Sequence, residues 1–162
     1  MNPEKLRICV GVTGATGAVY AQALLRELLT HLPKVYLIVS RTAASVIRYE
    51  LAQSQEPSDE FSLVRVLNPR TRPKNIILYE NDDFFAPVAS GTSAPTHLIL
   101  VPCSMGTLAR IAHGDASHLM ERAADVVLKQ KRQLIICPRE SPMNQIHLRN
   151  LLTLSEMGAH IV

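Results

Sequence analysis

The 162-residue sequence predicts an α/β fold, with a mostly parallel sheet and helices on both faces. Three observations predict it. Short, almost unbroken apolar runs recur at residues 6–12, 35–39, 97–101 and 133–137, as strands buried on both faces of a parallel sheet require. Stretches with apolar residues three and four apart separate them, and a helical crossover of this length closes a right-handed parallel unit. Each run ends in small or hydroxyl-bearing residues. Polar chemistry therefore collects at the carboxyl edge of the sheet, where open α/β sheets bind ligands.

The first strand holds Leu6, Ile8, Cys9, Val10 and Val12 and runs into a turn punctuated by Gly11, Gly14 and Gly17. A helix pattern follows from Ala18 through Ala21, Leu24, Leu25, Leu28 and Leu29. The turn is expected to leave backbone N–H groups unpaired beside the positive end of that helix, which suits a phosphate. The hydroxyls of Thr13 and Thr16 are expected to add donors. The spacing is G-x-x-G-x-x-G rather than the dinucleotide fingerprint G-x-G-x-x-G, and a tight turn without a ligand explains T-G-A-T-G as well.

Val35 to Val39 form the second strand and leave Ser40 at the carboxyl edge. Residues 42–53 read as a helix with Ala43, Ala44, Val46, Ile47 and Leu51 apolar and Glu50 near its end. Residues 54–75, with Pro57, Pro69 and Pro73, predict a loop holding one short helix around residues 59–66, and residues 76–79 a third strand. A run of small polar residues, 90–96, suits either a linker or a close approach to a flat ligand. Residues 97–101 are the clearest central strand, followed by Pro102-Cys103-Ser104 and helix signals from Ser104. Gly114-Asp115-Ala116-Ser117 breaks the pattern before a helix over 118–131. Residues 133–137 are a strand that delivers Pro138-Arg139-Glu140 to the edge shared with Gly14, Ser40 and Ser104. Ser141 and Pro142 are predicted as N-cap and first helical position, Gly158 as the helix terminator, and residues 159–162 as the start of another strand.

Composition narrows the function. The chain is 47% hydrophobic and only 19% charged, below the usual share of about 25%, which suggests surface covered by an oligomer or a ligand. A net charge of +3 fits a small anionic molecule. Without lysine-rich runs, Trp or an aromatic platform, nucleic acid is not expected as a partner. Cys9, Cys103 and Cys137 lie far apart in strand-like runs and read as buried thiols of a reducing, cytoplasmic compartment, neither disulfides nor zinc ligands. No metal is expected, because the histidines lack ligand spacing. No signal peptide or membrane span is evident.

Two charged groups stand out. Arg122 and Lys129 are seven apart and share a helix face, although Asp125 and Lys129 are also spaced for a surface ion pair. Arg139 can grip a phosphate with its planar fork. Glu140 beside it reads as counter-ion or as proton-transfer group, the first being the commoner role for such a pair.

The blocks Ala89-Ser90-Gly91, Pro102-Cys103-Ser104, Glu121-Arg122-Ala123-Ala124-Asp125-Val126 and Pro138-Arg139-Glu140, with the opening T-G-A-T-G-A from Thr13, resemble the flavin prenyltransferases. These are UbiX-type proteins once described as aromatic-acid decarboxylases, and the resemblance covers essentially the whole chain. It implies a Rossmann-like three-layer sandwich, a single flavin-binding domain over residues 1–162, and a homo-oligomer, a dodecamer. It implies transfer of a dimethylallyl group from dimethylallyl phosphate to N5 and C6 of reduced FMN, without metal. The prenylated FMN would serve a UbiD-type decarboxylase of quinone synthesis or aromatic-acid metabolism. By the same resemblance Gly14, Ala15, Thr16, Ser40, Ser104, Met105, Gly106, Thr107, Arg122 and Arg139 would bind FMN. Lys129, Arg139 and Glu140 would meet the prenyl phosphate, and Glu140, Glu50, Thr16 and Lys129 would carry the catalytic steps.

Two departures from the family pattern bear on this expectation. Thr16 stands where the family commonly has Ser. Relatives continue beyond the last strand into a tail bearing a Tyr and an Arg or Lys of the prenyl-phosphate site, so the 162 residues are expected to be a shortened version that binds FMN but prenylates it poorly. Alternatives of the same fold are an FMN-dependent cysteine or pantothenate-type decarboxylase and a non-catalytic FMN-delivery protein. A short-chain NAD(P) reductase is excluded, because none of Tyr20, Tyr36, Tyr49 or Tyr79 has a Lys four residues on.

Overall fold

The computed structural model describes residues 6–51, 60–67 and 75–162. In chain order the described elements are β1 (Ile8–Val12), α1 (Ala18–His31), β2 (Val35–Val39), α2 (Arg41–Leu51) and α3 (Glu60–Leu67). They continue with β3 (Ile76–Glu80), β4 (His97–Cys103), α4 (Met105–Ala112), α5 (Leu119–Lys129), β5 (Gln133–Pro138), α6 (Gln145–Glu156) and β6 (His160–Ile161). One sheet orders the strands β3-β2-β1-β4-β5-β6, and every pairing is parallel rather than mostly so. The strand order reverses direction between β1 and β4.

Alternation along the strands explains the sandwich. Val10, Val12, Leu37 and Val39 point to one face and pack with Ala21, Leu25 and Ile47 of α1 and α2. Cys9, Ile38, Leu98, Leu100 and Ile136 point to the other, against Leu108 of α4, Met120 and Val127 of α5 and Leu154 of α6. Both faces are apolar because parallel crossovers cover both. The α/β sandwich with helices on both faces is thus the observed fold.

Gly11 is where the sheet admits no side chain. A Cβ there would stand 2.6 Å from Leu100 Cδ2 and 3.2 Å from Met120 Sδ. Gly11→Ala is expected to lower stability by about 1–3 kcal/mol, seen as a lower urea midpoint at unchanged slope.

Several sequence expectations are corrected. Helix α6 starts at Gln145, not Pro142: Asn144 is the N-cap, accepting His147 N–H at 2.9 Å, while the His147 ring accepts Asn144 N–H at 3.4 Å. This reciprocal pair satisfies two helix-end donors that Ser141 would leave unmet. Gly158 does follow the helix, at φ 95°. Cys9 and Cys103 are buried, but Cys137 is only half-buried because it lies near the open end of β5. Burial pushes the Cys103 thiol up to about 12 and raises Cys9 further, so both remain protonated, inert packing groups. The short helix expected around 59–66 is α3, while residues 52–59 and 68–74, with Pro57, Pro69 and Pro73, lie outside the described residues.

Candidate active site

The carboxyl ends of β1, β2, β3 and β4 surround a cavity of about 800 Å³, beside the reversal of strand order that favours ligand binding in open sheets. Thr13, just past β1, ties the two halves of the sheet together. Its hydroxyl donates to the Pro102 carbonyl at 2.8 Å and accepts Ser104 N–H at 2.7 Å. Thr13 is therefore committed to the scaffold and is not the free phosphate donor expected from the sequence.

The glycine turn itself is also altered from expectation. Glu50, on α2, accepts Gly17 N–H through both oxygens at 3.0 Å and Ala18 N–H at 2.7 Å. The positive end of α1 is thus filled by the protein's own carboxylate, a favourable placement for a negative charge. The N–H groups of Gly17 and Ala18 are paired, and of the turn's glycines it is Gly14 that lines the cavity. A Cβ on Gly14 would meet Thr42 Cγ2 at 2.5 Å, so glycine is required where the turn passes the start of α2.

Hydroxyls converge on the cavity from two strand ends. Ser40 Oγ accepts Ala43 N–H at 3.1 Å, which leaves its own proton for another acceptor. Ser104 caps α4, with Oγ accepting Thr107 N–H at 3.4 Å and donating to Thr107 Oγ1 at 3.2 Å. Arg110 reaches back from the next turn of α4, donating from Nη2 to Thr107 Oγ1 at 3.1 Å and from Nε to Glu121 Oε1 at 2.7 Å. The floor is fixed from β3: Asn81 accepts Leu119 N–H on its carbonyl at 2.7 Å and Met120 N–H on Oδ1 at 3.0 Å, holding the start of α5. Tyr79 forms part of the wall and stacks on Tyr36 at 6.0 Å. Burial, with Tyr36 beside it, raises the Tyr79 phenol above its ordinary range.

Of the residues singled out in the sequence, Gly14, Ser40, Ser104 and Thr107 meet at this cavity. Arg139 stands at the same edge, its N–H donating to the Cys103 carbonyl at 2.9 Å, and its side chain is exposed with that of Glu140. Glu140 Oε1 accepts Ser141 N–H at 3.2 Å. Ala15 and exposed Thr16 belong to the turn and, like Glu50 of α2, lie outside the cavity lining. Met105 is buried in the core beneath α4, and Gly106 is exposed. Arg122 faces away, bonding Asp125 Oδ2 at 2.8 Å and the Ala89 carbonyl at 3.3 Å, so Asp125 pairs with Arg122 and not with Lys129. Lys129 lies exposed at the far end of α5, two turns and about 12 Å along the axis from Glu121. Asn81, Arg110, His118 and Glu121 are cavity residues that sequence reasoning missed. Arg110 and Glu121 meet only because the break at residues 114–117 folds α5 against α4, and no local spacing reveals that. Among the described residues no three His, Cys, Asp or Glu side chains cluster to hold a metal, and no helix is long and apolar enough to cross a membrane.

A parallel sheet in this order, with hydroxyls and an arginine at its carboxyl edge, defines an α/β protein built to bind a phosphate-bearing cofactor. The comparisons with known proteins sharpen that class. The family model described as Flavoprotein matches residues 1–162. The flavin prenyltransferase UbiX of Alkalihalophilus pseudofirmus is 42% identical over 159 residues, covering 98% of this chain and 78% of the relative. The crystal structure of AnUbiX (PadA1) in complex with FMN and dimethylallyl pyrophosphate superposes with a TM-score of 0.81 at 38% identity, covering 96% of this chain and 76% of that one. A dodecameric FMN-dependent UbiX-like decarboxylase from Escherichia coli O157:H7 gives a TM-score of 0.82 at 37% identity, covering 97% and 79%. The chain belongs to the flavoprotein family, among the flavin prenyltransferases. The resemblance stated from the sequence and the Rossmann-like fold it implied are both borne out.

Proposed function

We propose that this chain, acting as one flavin-binding domain, transfers a dimethylallyl group from dimethylallyl phosphate to reduced FMN. The observation that carries the reading is the gathering of Ser40, Ser104 and Thr107 around one cavity, with Arg139 at the same sheet edge. The cavity fits FMN in its donors. Ser40 has a hydroxyl proton to give, Gly14 brings backbone close, and Arg110, ion-paired with Glu121, contributes a fixed guanidinium rather than net charge. The flavin phosphate belongs among these hydroxyls rather than on Gly17 and Ala18, which Glu50 already serves.

Reduced FMN, when bound, supplies the nucleophilic ring positions that accept the prenyl unit. Arg139 stabilises negative charge gathering on the departing phosphate, and Lys129 is assigned the same task by family resemblance. Glu140 has spent Oε1 on Ser141 N–H, which leaves Oε2 to take the proton released on ring closure. By the same resemblance alone Thr16 and Glu50 are assigned proton handling at the flavin, and Ala15, Met105, Gly106 and Arg122 its surroundings. Within this chain all six lie off the cavity lining, Glu50 on the Gly17 and Ala18 N–H groups and Arg122 on Asp125. Product release to a UbiD-type decarboxylase, a cytoplasmic location and assembly into a dodecamer belong to this reading. Exposed apolar side chains support assembly: Phe85 is 100% and Tyr49 91% exposed, and Ile146 and Leu152 stand out from α6.

Glu140→Gln tests the chemistry apart from binding. The variant is expected to hold FMN with unchanged affinity and to prenylate it about ten- to a hundredfold more slowly. Unchanged single-turnover kinetics would reduce Glu140 to a counter-ion.

A further inference from the structure

Glu121 is a buried carboxylate, its side chain 1% exposed, with a hydrogen bond to only one oxygen. Oε1 accepts from Arg110 Nε at 2.7 Å. Oε2 has no hydrogen-bond partner among the described residues, and His118 Nδ1 stands 3.8 Å from it. Such a half-satisfied buried charge contributes little to stability beside an apolar side chain of the same size. Its place on the cavity wall is better explained by what it holds. The guanidinium it fixes donates onward to Thr107 Oγ1, which also accepts from Ser104 Oγ. Both acceptor positions of that hydroxyl are then occupied, and the described residues record no acceptor for its proton.

We propose that Glu121 is a positioning residue which, through Arg110, fixes the Thr107 hydroxyl as a donor to a phosphoryl oxygen in the cavity. The inference rests on that cavity being the site of the flavin phosphate. A phosphoryl group is the fitting acceptor because the Ser40 and Thr107 hydroxyls, each with a proton to give, line the cavity together with the guanidinium groups of Arg41 and Arg110, alongside the carboxylates of Glu80, Asp82 and Glu121. An apolar occupant would leave such donors unmet. Charge acting alone predicts the opposite of positioning. A buried carboxylate repels a neighbouring phosphate, so its removal would strengthen binding, whereas loss of positioning weakens it.

Binding of FMN and of riboflavin, which lacks the phosphate, tests this by fluorescence quenching on the purified chain. Glu121→Met is expected to weaken FMN binding at least about tenfold and to leave riboflavin binding unchanged. Glu121→Gln, which keeps an acceptor for Arg110 Nε, is expected to restore most of the FMN affinity. Thr107→Val should lose FMN affinity as Glu121→Met does and Thr107→Ser should keep it. The Glu121→Met/Thr107→Val pair should lose no more than Thr107→Val alone, since both act on one donor. Tighter or unchanged FMN binding by Glu121→Met, or equal losses for FMN and riboflavin, would overturn the inference while leaving the flavin site standing. Wild-type protein that fails to prefer FMN over riboflavin would overturn the phosphate site and the inference together.

Discussion

Arg139→Ala is expected to slow prenyl transfer about a hundredfold in single turnovers, an effect of roughly 3 kcal/mol for removing one charge-stabilising contact from a transition state. The reason is positional. Backbone pairing of Arg139 N–H with the Cys103 carbonyl sets it beside Ser104, at the sheet edge where the Ser40, Ser104 and Thr107 hydroxyls collect. Lys131 is the control, a cation of like charge just past the far end of α5, exposed at φ 52°. Lys131→Ala should change the rate by less than about twofold, as expected for an exposed charge. Equal small effects in the two variants would remove Arg139 from the phosphate site.

Glu50→Ala is expected to destabilise the fold by about 2 kcal/mol, because it strips a charged acceptor from the N–H groups of Gly17 and Ala18 at a helix start. The measurement is the urea midpoint at constant slope. Added phosphate should restore part of that loss in Glu50→Ala and do little for the wild type, because the helix end then becomes an anion site. FMN binding should not tighten in the variant if its phosphate lies among Ser40, Ser104 and Thr107. A variant as stable as the wild type would show that the carboxylate seen on α1 is incidental.

Local pattern and long-range pairing account for what the sequence revealed of this fold. Strands β1, β2, β4 and β5 were legible because parallel strands buried on both faces leave continuous apolar runs. Their carboxyl ends then placed Gly14, Ser40 and Ser104 on one edge. Asn144 was harder to see, since Ser141-Pro142 carries an equally good start signal and only the ring of His147 decides between them. The occupation of α1 by Glu50 depends on two residues 33 apart in the chain, and Arg110 with Glu121 on the packing of two helices across a break. Such partners have no signature in spacing. Arg122 shows the converse: its motif was conspicuous, yet within this chain its guanidinium is spent on Asp125 and the Ala89 carbonyl.

The most direct test of the assigned chemistry is the mass of the flavin released after anaerobic incubation of the chain with reduced FMN and dimethylallyl phosphate. Expected is a flavin heavier than FMN by one dimethylallyl unit, formed by the wild type and strongly diminished in Arg139→Ala. A flavin of unchanged mass, recovered from wild-type protein that had bound it, would contradict the assignment.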